Sequence, residues 1–158
     1  MRVISGEVEI GVTARVKIPV SLTSVRALAA GVVRAERPRV RELSITFVGP
    51  ARIRSLNREH LGHDRETDVI AFSLIAPNTD QPRPPAPGLV GDVYICPAVA
   101  AGNARRLGIT PSEEVRRLVV HGILHVLGYD HPQGEARTAS PMWRRQERLL
   151  KTLTRRPA

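Results

Sequence analysis

The sequence predicts an α/β fold, α+β-like in detail, formed by a single domain over residues 1–158. A chain of 158 residues is long enough for one hydrophobic core. Its 42% hydrophobic and 25% charged residues are typical of a globular protein. Strand and helix patterns follow one another in the order β, α, β, α, β, β, α, α, α. This order predicts a small mixed sheet of about four strands packed with four to five helices.

The first half of the chain supplies the first four of these elements. "VEIGVTARVKI" alternates weakly and predicts an opening strand or hairpin. "SLTSVRALAAGVVRAE" has apolar residues at helical spacing, with Ser21 as its N-cap. "RELSITFVG" alternates cleanly and predicts a strand that ends at Gly49. "PARIRSLNREHLG" predicts a short helix that begins near Pro50 and ends before Gly62.

The second half begins with two apolar, β-rich segments, "TDVIAFSL" and "LVGDVYICP". Between them, residues 77–88 are dense in proline and predict a surface loop, because proline is excluded from helix interiors. "PAVAAGNARRLG" then predicts a short helix. A histidine-containing helix follows it and is expected to be central to the fold. "ASPMWRRQERLLKTL" predicts a final basic amphipathic helix, with Trp143 against the core and Arg144, Arg145 and Arg148 facing solvent or RNA.

The charge of the chain is strongly positive, with 24 Lys and Arg against 15 Asp and Glu and a net charge of +9. Such a balance favours a polyanionic partner such as nucleic acid. The alternative is an arginine bias from a GC-rich genome with a merely solvated surface, and the charge alone does not separate the two. One cysteine, Cys96, excludes an internal disulfide and predicts no disulfide-linked partner. With no apolar run of about 20 residues and no signal peptide, we expect no membrane association and a cytoplasmic location.

The histidine helix has clear boundaries. Thr110 as N-cap, Pro111 at the first helical position and Glu113 two residues later form a capping box, and Gly128 is a natural stop. Apolar residues cover most of its circumference, so the helix should be largely buried. A narrow polar stripe remains, formed by Glu114, Arg117, His121 and His125.

The polar stripe predicts a metal site. His121 and His125 lie one turn apart, and a turn after Gly128 can bring His131 back to them. Buried imidazoles need polar partners, and one shared ion satisfies several at once. Three nitrogen ligands leave one tetrahedral position open, which is the pattern of a catalytic zinc site. The alternative is three ordinary histidines on a polar surface, a hypothesis that the glycine stop and third histidine disfavour.

The residue after His121 separates this segment from metallopeptidases. The H-E-x-x-H pattern has its general base there, whereas this chain has Gly122. A peptidase of that type would lack its base. A glycine at this position also lets a neighbouring element pack closely against the helix.

Three segments together resemble the YbeY-type endoribonucleases, a family of ribosomal RNA maturation factors. "HGILHVLGYDH" matches the pattern H-G-x-L-H-x-x-G-Y-D-H. "LNREHLGHDRETDVIAF" is similar to the family's L-N…D-x-x-T-D-V region, and "GDVYIC" to its G-D-I-x-I strand. The resemblance runs from about Leu43 to Pro132. It implies a zinc-dependent endoribonuclease specific for single strands, acting in maturation of the 3′ end of small-subunit ribosomal RNA and in ribosome quality control.

The resemblance also implies roles for residues and partners. The ligands of one Zn²⁺ per chain would be His121, His125 and His131, and the partners would be ribosomal RNA and the small ribosomal subunit. Many members have an arginine where this chain has Leu61. The charge could come instead from one of four nearby residues, which are Arg58, Arg65, His60 and His63.

Other polar residues near these motifs have two interpretations each. Asp130, Asp68 and Asp92 are candidates to orient metal-binding histidines, or they bond local backbone in turns. No general base is evident. Asn57 is expected to be structural, and Cys96 a small buried hydrophobe.

Three functions stay open from the sequence. The first is the zinc-dependent ribonuclease. The second is a zinc hydrolase of another substrate, such as a peptide. The third is a non-catalytic, ribosome-associated RNA-binding factor whose zinc stabilises the fold. Imidazole ligands also suit nickel, iron or copper, so the metal itself is not fixed.

Overall fold

The computed structural model describes residues 2–5, 8–36, 41–73, 90–131 and 134–154. The proline-rich loop predicted at 77–88 lies outside these residues. The elements follow the predicted order and are β1 (Arg2–Ser5), β2 (Val8–Ala14), α1 (Leu22–Glu36), β3 (Glu42–Phe47), α2 (Pro50–Leu61), β4 (Val69–Ser73), β5 (Val90–Ile95), α3 (Pro97–Leu107), α4 (Pro111–Val126), a 3₁₀ helix (Gly134–Ala139) and α5 (Pro141–Leu153).

The strands form one mixed sheet in the order β1-β2-β3-β5-β4. β2, β3 and β5 are parallel, while β1 and β4 run antiparallel at the two edges. The predicted mixed sheet is confirmed, although it has five described strands rather than about four. The additional strand is β1, which precedes the predicted opening segment and pairs antiparallel with β2, with Val3 opposite Ile10.

Alternation along the strands divides the buried residues between two faces. The larger cluster joins Ile45 of β3 and Val93 of β5 to apolar residues of α1 and α4. A smaller cluster on the other side contains Ile53 of α2, Ile70 of β4 and Cys96. The prediction that Cys96 is a buried hydrophobe is therefore confirmed.

Helix α4 lies at the centre, in contact with α1, α3, α5, β4 and β5. Its approach to the sheet depends on two glycines. A Cβ at Gly122 would lie 2.5 Å from Val93 Cγ1, and a Cβ at Gly91 would lie 2.2 Å from Val126 Cγ1. Each glycine therefore receives a valine from the opposite element. This confirms the close packing predicted at Gly122, which holds the histidine helix against β4 and β5.

The described helices were compared with the length and apolarity of a membrane span. None of those in the described part of the chain combines the length and apolarity needed to cross a bilayer.

Candidate metal centre

The ends of α4 determine where its histidines lie. Thr110 Oγ1 accepts a hydrogen bond of 3.1 Å from the Glu113 amide, so the predicted N-cap is confirmed. The helix ends at Val126, and Gly128 takes a positive φ of 99° that few other residues adopt. The chain then reverses direction. Asp130 Oδ1 accepts a 2.8 Å hydrogen bond from the His131 amide and thereby fixes the turn.

The structure brings the three predicted histidines together. The ring centroids of His121, His125 and His131 are 4.7–5.1 Å apart. One nitrogen from each ring lies within 4.8 Å of the other two. The Nε2 atoms of His121 and His125 are 3.1 Å apart. Tetrahedral ligands at zinc distances are about 3.3 Å apart, so this pair already has the separation that a zinc ion requires.

Burial keeps the helix histidines uncharged. His121 is only 8% exposed, and desolvation lowers its pKa to about 4. Desolvation also lowers the pKa of His125, with a further contribution from the neighbouring His131. Neutral imidazole is the form that binds a metal, because it offers a nitrogen lone pair.

Gln146 fixes which nitrogen of His121 is available. This fully buried residue of α5 places Oε1 2.7 Å from His121 Nδ1, while its Nε2 donates to Glu147 Oε1 at 3.2 Å. Since a carboxylate only accepts, the amide nitrogen must face Glu147 and the amide oxygen must face His121. Nδ1 therefore carries the proton, and Nε2 presents its lone pair to His125.

The sequence analysis missed Gln146. Its signal was present, however, because Gln146 occupies a core position of the α5 pattern between Met142 and Leu149. A polar side chain at such a position needs a buried partner.

These observations fit a divalent metal ion. Two neutral rings turn nitrogens toward one point, a third ring closes the triangle, and a buried amide sets the tautomer of His121. A hydrogen bond to the second ring nitrogen is the usual support of a metal-binding histidine.

A cavity of about 600 Å³ opens over the histidines. One wall is β4, an edge strand whose outer side pairs with no other described strand. Leu61, which is 52% exposed, also lines this cavity, as do Tyr129 and Arg137. Leu61, where the resemblance led us to expect an arginine, therefore lies at the cavity and presents an apolar side chain there.

The four RNA-binding candidates lie elsewhere on the described surface. Arg58 is 3.5 Å from Asp64, which also pairs with Arg54. His60 contacts Phe72 edge to face, with ring centroids 5.0 Å apart. His63 and Arg65 are exposed in the loop after α2. None of the four is among the described residues that line the histidine cavity.

The three candidate aspartates lie in different environments. Asp130 and Asp68 both line the cavity, although each also bonds local backbone, at the His131 and Val69 amides respectively. Asp68 accepts a further bond of 3.1 Å from Asn103. Val93 of β5 faces Gly122 of α4. Asp92 is the preceding residue of the same strand, so its side chain points to the opposite face of the sheet. The structure does not bring Asp92 to the histidines, because strand register fixes its direction.

Asn57 has the structural role predicted for it. It is buried, and its amide nitrogen donates to the Arg65 carbonyl at 3.0 Å.

The final basic helix differs in part from its prediction. Trp143 is half-buried and Arg144 and Arg148 are exposed, but Arg145 forms an ion pair with Glu36. The paired carboxylate of Glu36 makes Arg145 a structural cation.

Comparison with known proteins supplies the family. The family model described as endoribonuclease YbeY matches residues 13–154 of the chain. The chain belongs to the endoribonuclease YbeY family. A YbeY relative from Micrococcus luteus is 38% identical over 117 residues, covering 74% of this chain and 73% of that protein. A YbeY relative from Sulfurihydrogenibium sp. is 42% identical over 113 residues, covering 72% and 70% respectively.

One solved structure has a similar fold. The solution structure of TM1509 from Thermotoga maritima aligns with a TM-score of 0.58 over 91% of this chain and 88% of that one. The sequences are 24% identical, so this likeness concerns the fold.

Proposed function

We propose that the protein is a metal-dependent endoribonuclease that hydrolyses phosphodiester bonds in single-stranded RNA. The carrying observation is the triangle of three histidines, two of them kept neutral by burial, beneath an open cavity. Membership of the endoribonuclease YbeY family, whose relatives carry that name, supports the reaction class. We further propose that the substrate is the 3′ end of small-subunit ribosomal RNA, processed in the cytoplasm on the small ribosomal subunit, with a role in ribosome quality control.

One ion per chain would be held by His121, His125 and His131, and zinc is the proposed metal. When bound, it would supply Lewis-acid stabilisation of phosphoryl charge and make nearby water more acidic. The chain itself supplies the orientation of the ligands. Gln146 keeps the His121 proton on Nδ1, and the Asp130 carboxylate holds the turn that carries His131.

One guanidinium group and two carboxylates in the cavity act on the substrate in this proposal. The guanidinium of Arg137 offers positive charge to a phosphate. Asp68 and Asp130 are the described carboxylates that line the cavity, so they are the candidates to hold or move a proton.

The direct test is a His131→Ala variant, analysed for metal content, melting temperature and cleavage of a single-stranded RNA. His131 lies beyond the end of α4 and is half-buried, so its removal should leave the core packed. We expect a folded protein with at least 100-fold weaker metal binding and cleavage at background level. Arg34→Gln, which changes an exposed residue of α1 outside the cavity, should behave as wild type. Unchanged cleavage by the His131 variant would refute the proposal.

The second candidate is a non-catalytic RNA-binding factor whose metal stabilises the fold. The bond between His121 on α4 and Gln146 on α5 favours it, because the centre links two helices. This function predicts that chelation, or His131→Ala, unfolds the protein. Retention of the native circular dichroism spectrum with loss of cleavage would exclude it.

A hydrolase of the H-E-x-x-H metallopeptidase type would lack the glutamate that follows the first histidine, because that position is Gly122. A Cβ at Gly122 would lie 2.5 Å from Val93 Cγ1, so a larger side chain at that position of α4 would force the packing to shift.

A further inference from the structure

A second cleft of about 670 Å³ adjoins the histidine cavity. It follows the polar stripe of α4 and is bounded by α3, the 3₁₀ helix and α5. Asp68, His121 and Arg137 line both spaces. The two therefore form one continuous groove with the histidines in one half. The size of the second half lies within the range of about 300–1,000 Å³ that is usual for small-molecule sites.

The second half of the groove contains the one tryptophan of the chain, Trp143. This half-buried ring has the Arg137 guanidinium carbon 5.3 Å and that of Arg117 5.8 Å from its centroid. Aromatic rings and guanidinium planes are the surfaces on which proteins stack the bases of single-stranded nucleic acids. An aromatic ring with two guanidinium groups close to it therefore suits a nucleobase.

The acidic residues of the cleft are engaged within the protein. Glu147 accepts from Arg117 at 2.9 Å, and Glu114 lies 3.7 Å from the same guanidinium. Asp68 accepts from Asn103 and from the Val69 amide. These carboxylates are thus held by internal partners, and three arginines, Arg106, Arg117 and Arg137, line the same cleft and balance their charge.

Arg137 differs from Arg117 in its contacts. It is exposed, and no carboxylate of the described residues forms an ion pair with it. Among these residues it is also the one Lys or Arg that lines both halves of the groove. Its guanidinium is consequently placed to meet a phosphate that passes from one half to the other.

We propose that the Trp143 half of the groove binds one nucleotide of single-stranded RNA next to the metal centre. The base contacts Trp143, and the phosphate on its metal side contacts Arg137. This inference rests on the proposed function and specifies how the substrate is held. It assigns to Trp143 and Arg137 the positioning of the RNA chain across the histidines.

Trp143 itself provides the test, because it is the single tryptophan and therefore the source of indole fluorescence. Zinc-loaded protein is mixed with a short single-stranded RNA, and fluorescence is recorded by stopped flow before turnover. We expect saturable quenching of Trp143. Inorganic polyphosphate should compete for binding without producing this quenching, since it has no base. An abasic oligonucleotide should bind more weakly and also leave the fluorescence unchanged.

Two variants separate base from phosphate contacts. Trp143→Leu keeps an apolar side chain but removes the aromatic ring, and it should weaken binding of a labelled RNA roughly five- to hundredfold, the range of stacking on one aromatic side chain. Arg137→Gln should weaken binding at least fivefold and leave the Trp143 signal in place. Arg34→Gln, an equal change of charge on the exposed side of α1, is the matched control and should bind as wild type. Melting temperatures identify any variant that fails to fold.

The outcomes distinguish this proposal from the proposed function. RNA cleavage without any change in Trp143 fluorescence would overturn the nucleotide site and leave the nuclease intact. Equal quenching by the abasic oligonucleotide would likewise overturn base contact. If the wild-type protein neither binds nor cleaves RNA, both proposals fall.

Discussion

At the scale of single residues, the candidate site depends on hydrogen bonds that set the chemical form of each group. His121 could bind a metal through either nitrogen. Gln146 removes that choice because its own orientation is set by Glu147, and Glu147 is in turn held by Arg117. The chain of contacts from Arg117 to His121 therefore determines one proton position at the centre.

Replacing Gln146 by leucine should show how much the hydrogen bond to His121 contributes to metal affinity. The buried Nδ1–H of His121 would lose its acceptor, and metal affinity should fall about 10- to 100-fold, as when other supporting groups of metal ligands are removed. Gln146→Glu combined with Glu147→Gln keeps an oxygen that accepts from His121 and avoids two facing carboxylates, so this double variant should retain affinity within a few fold. Competition with a chromophoric chelator measures both. Equal affinity for the leucine variant and the wild type would contradict the role given to Gln146.

Asp92 predicts a pH effect on stability that is independent of the metal. Desolvation, and then the nearby Glu42, raises its pKa in the folded state above the ordinary value of 3.8. The folded protein therefore holds this proton to higher pH than the unfolded chain does, and wild-type stability falls as pH rises between the two values. Asp92→Asn should stabilise the protein at pH 7 and lose this advantage below about pH 3.8. Urea unfolding at several pH values measures the difference.

Asp64 gives the opposite sign and serves as the comparison. A hydrogen bond from Arg54 lowers its pKa, so the ionised form contributes to stability above its ordinary pKa and the contribution disappears in acid. Asp64→Asn should therefore destabilise slightly at neutral pH. The metal affinity of the Asp92→Asn variant should equal that of the wild type. A lower affinity would show that Asp92 does act at the metal centre.

At the scale of elements, α4 was largely predictable because its signals are local. The cap at Thr110, the glycine stop and the spacing of the histidines all act within one segment. Gln146 and the direction of Asp92 were not predictable in the same way. They depend on which face of α5 meets α4 and on the register of β5, and both are decided by contacts between distant segments.

Two glycines in helices should respond oppositely to alanine. At Gly122 a Cβ would lie 2.5 Å from Val93 Cγ1, so Gly122→Ala should overpack the interface and destabilise by about 1–3 kcal/mol. At Gly102 of α3 the nearest atom would be 3.9 Å away, so Gly102→Ala should stabilise by up to about 1 kcal/mol through helix propensity. Chemical denaturation of both variants checks the prediction. Adding Val93→Ala to Gly122→Ala should recover part of the loss.

At the scale of the whole molecule, the family and the order of elements followed from the sequence, whereas the sheet order did not. Composition cannot specify that β5 lies between β3 and β4. That arrangement makes β4 an edge strand beside the histidines. Arg137 of the 3₁₀ helix lines both the histidine cavity and the Trp143 cleft. The groove is consequently a property of the assembled domain.

The net charge of +9 predicts that RNA binding depends on salt. Each phosphate contact to a single strand should lower affinity about 2.6-fold between 50 and 200 mM salt. Arg137→Gln should reduce the slope of log affinity against log salt by about 0.7, the contribution of one contact, while Arg34→Gln should not change it. Fluorescence anisotropy of a labelled RNA provides the measurement. An affinity that does not vary with salt would contradict binding through the phosphate backbone.

The edge position of β4 has a consequence for how this surface tolerates evolutionary change. This wall of the cavity is β4, an edge strand of the described sheet, and its peptide groups are identical whatever residue carries them. Substitutions in β4 can therefore change the size of its side chains without removing the backbone hydrogen-bond donors and acceptors at its outer edge. Recognition on this side should be indifferent to the order of bases, which leaves discrimination between nucleotides to the tryptophan side of the groove.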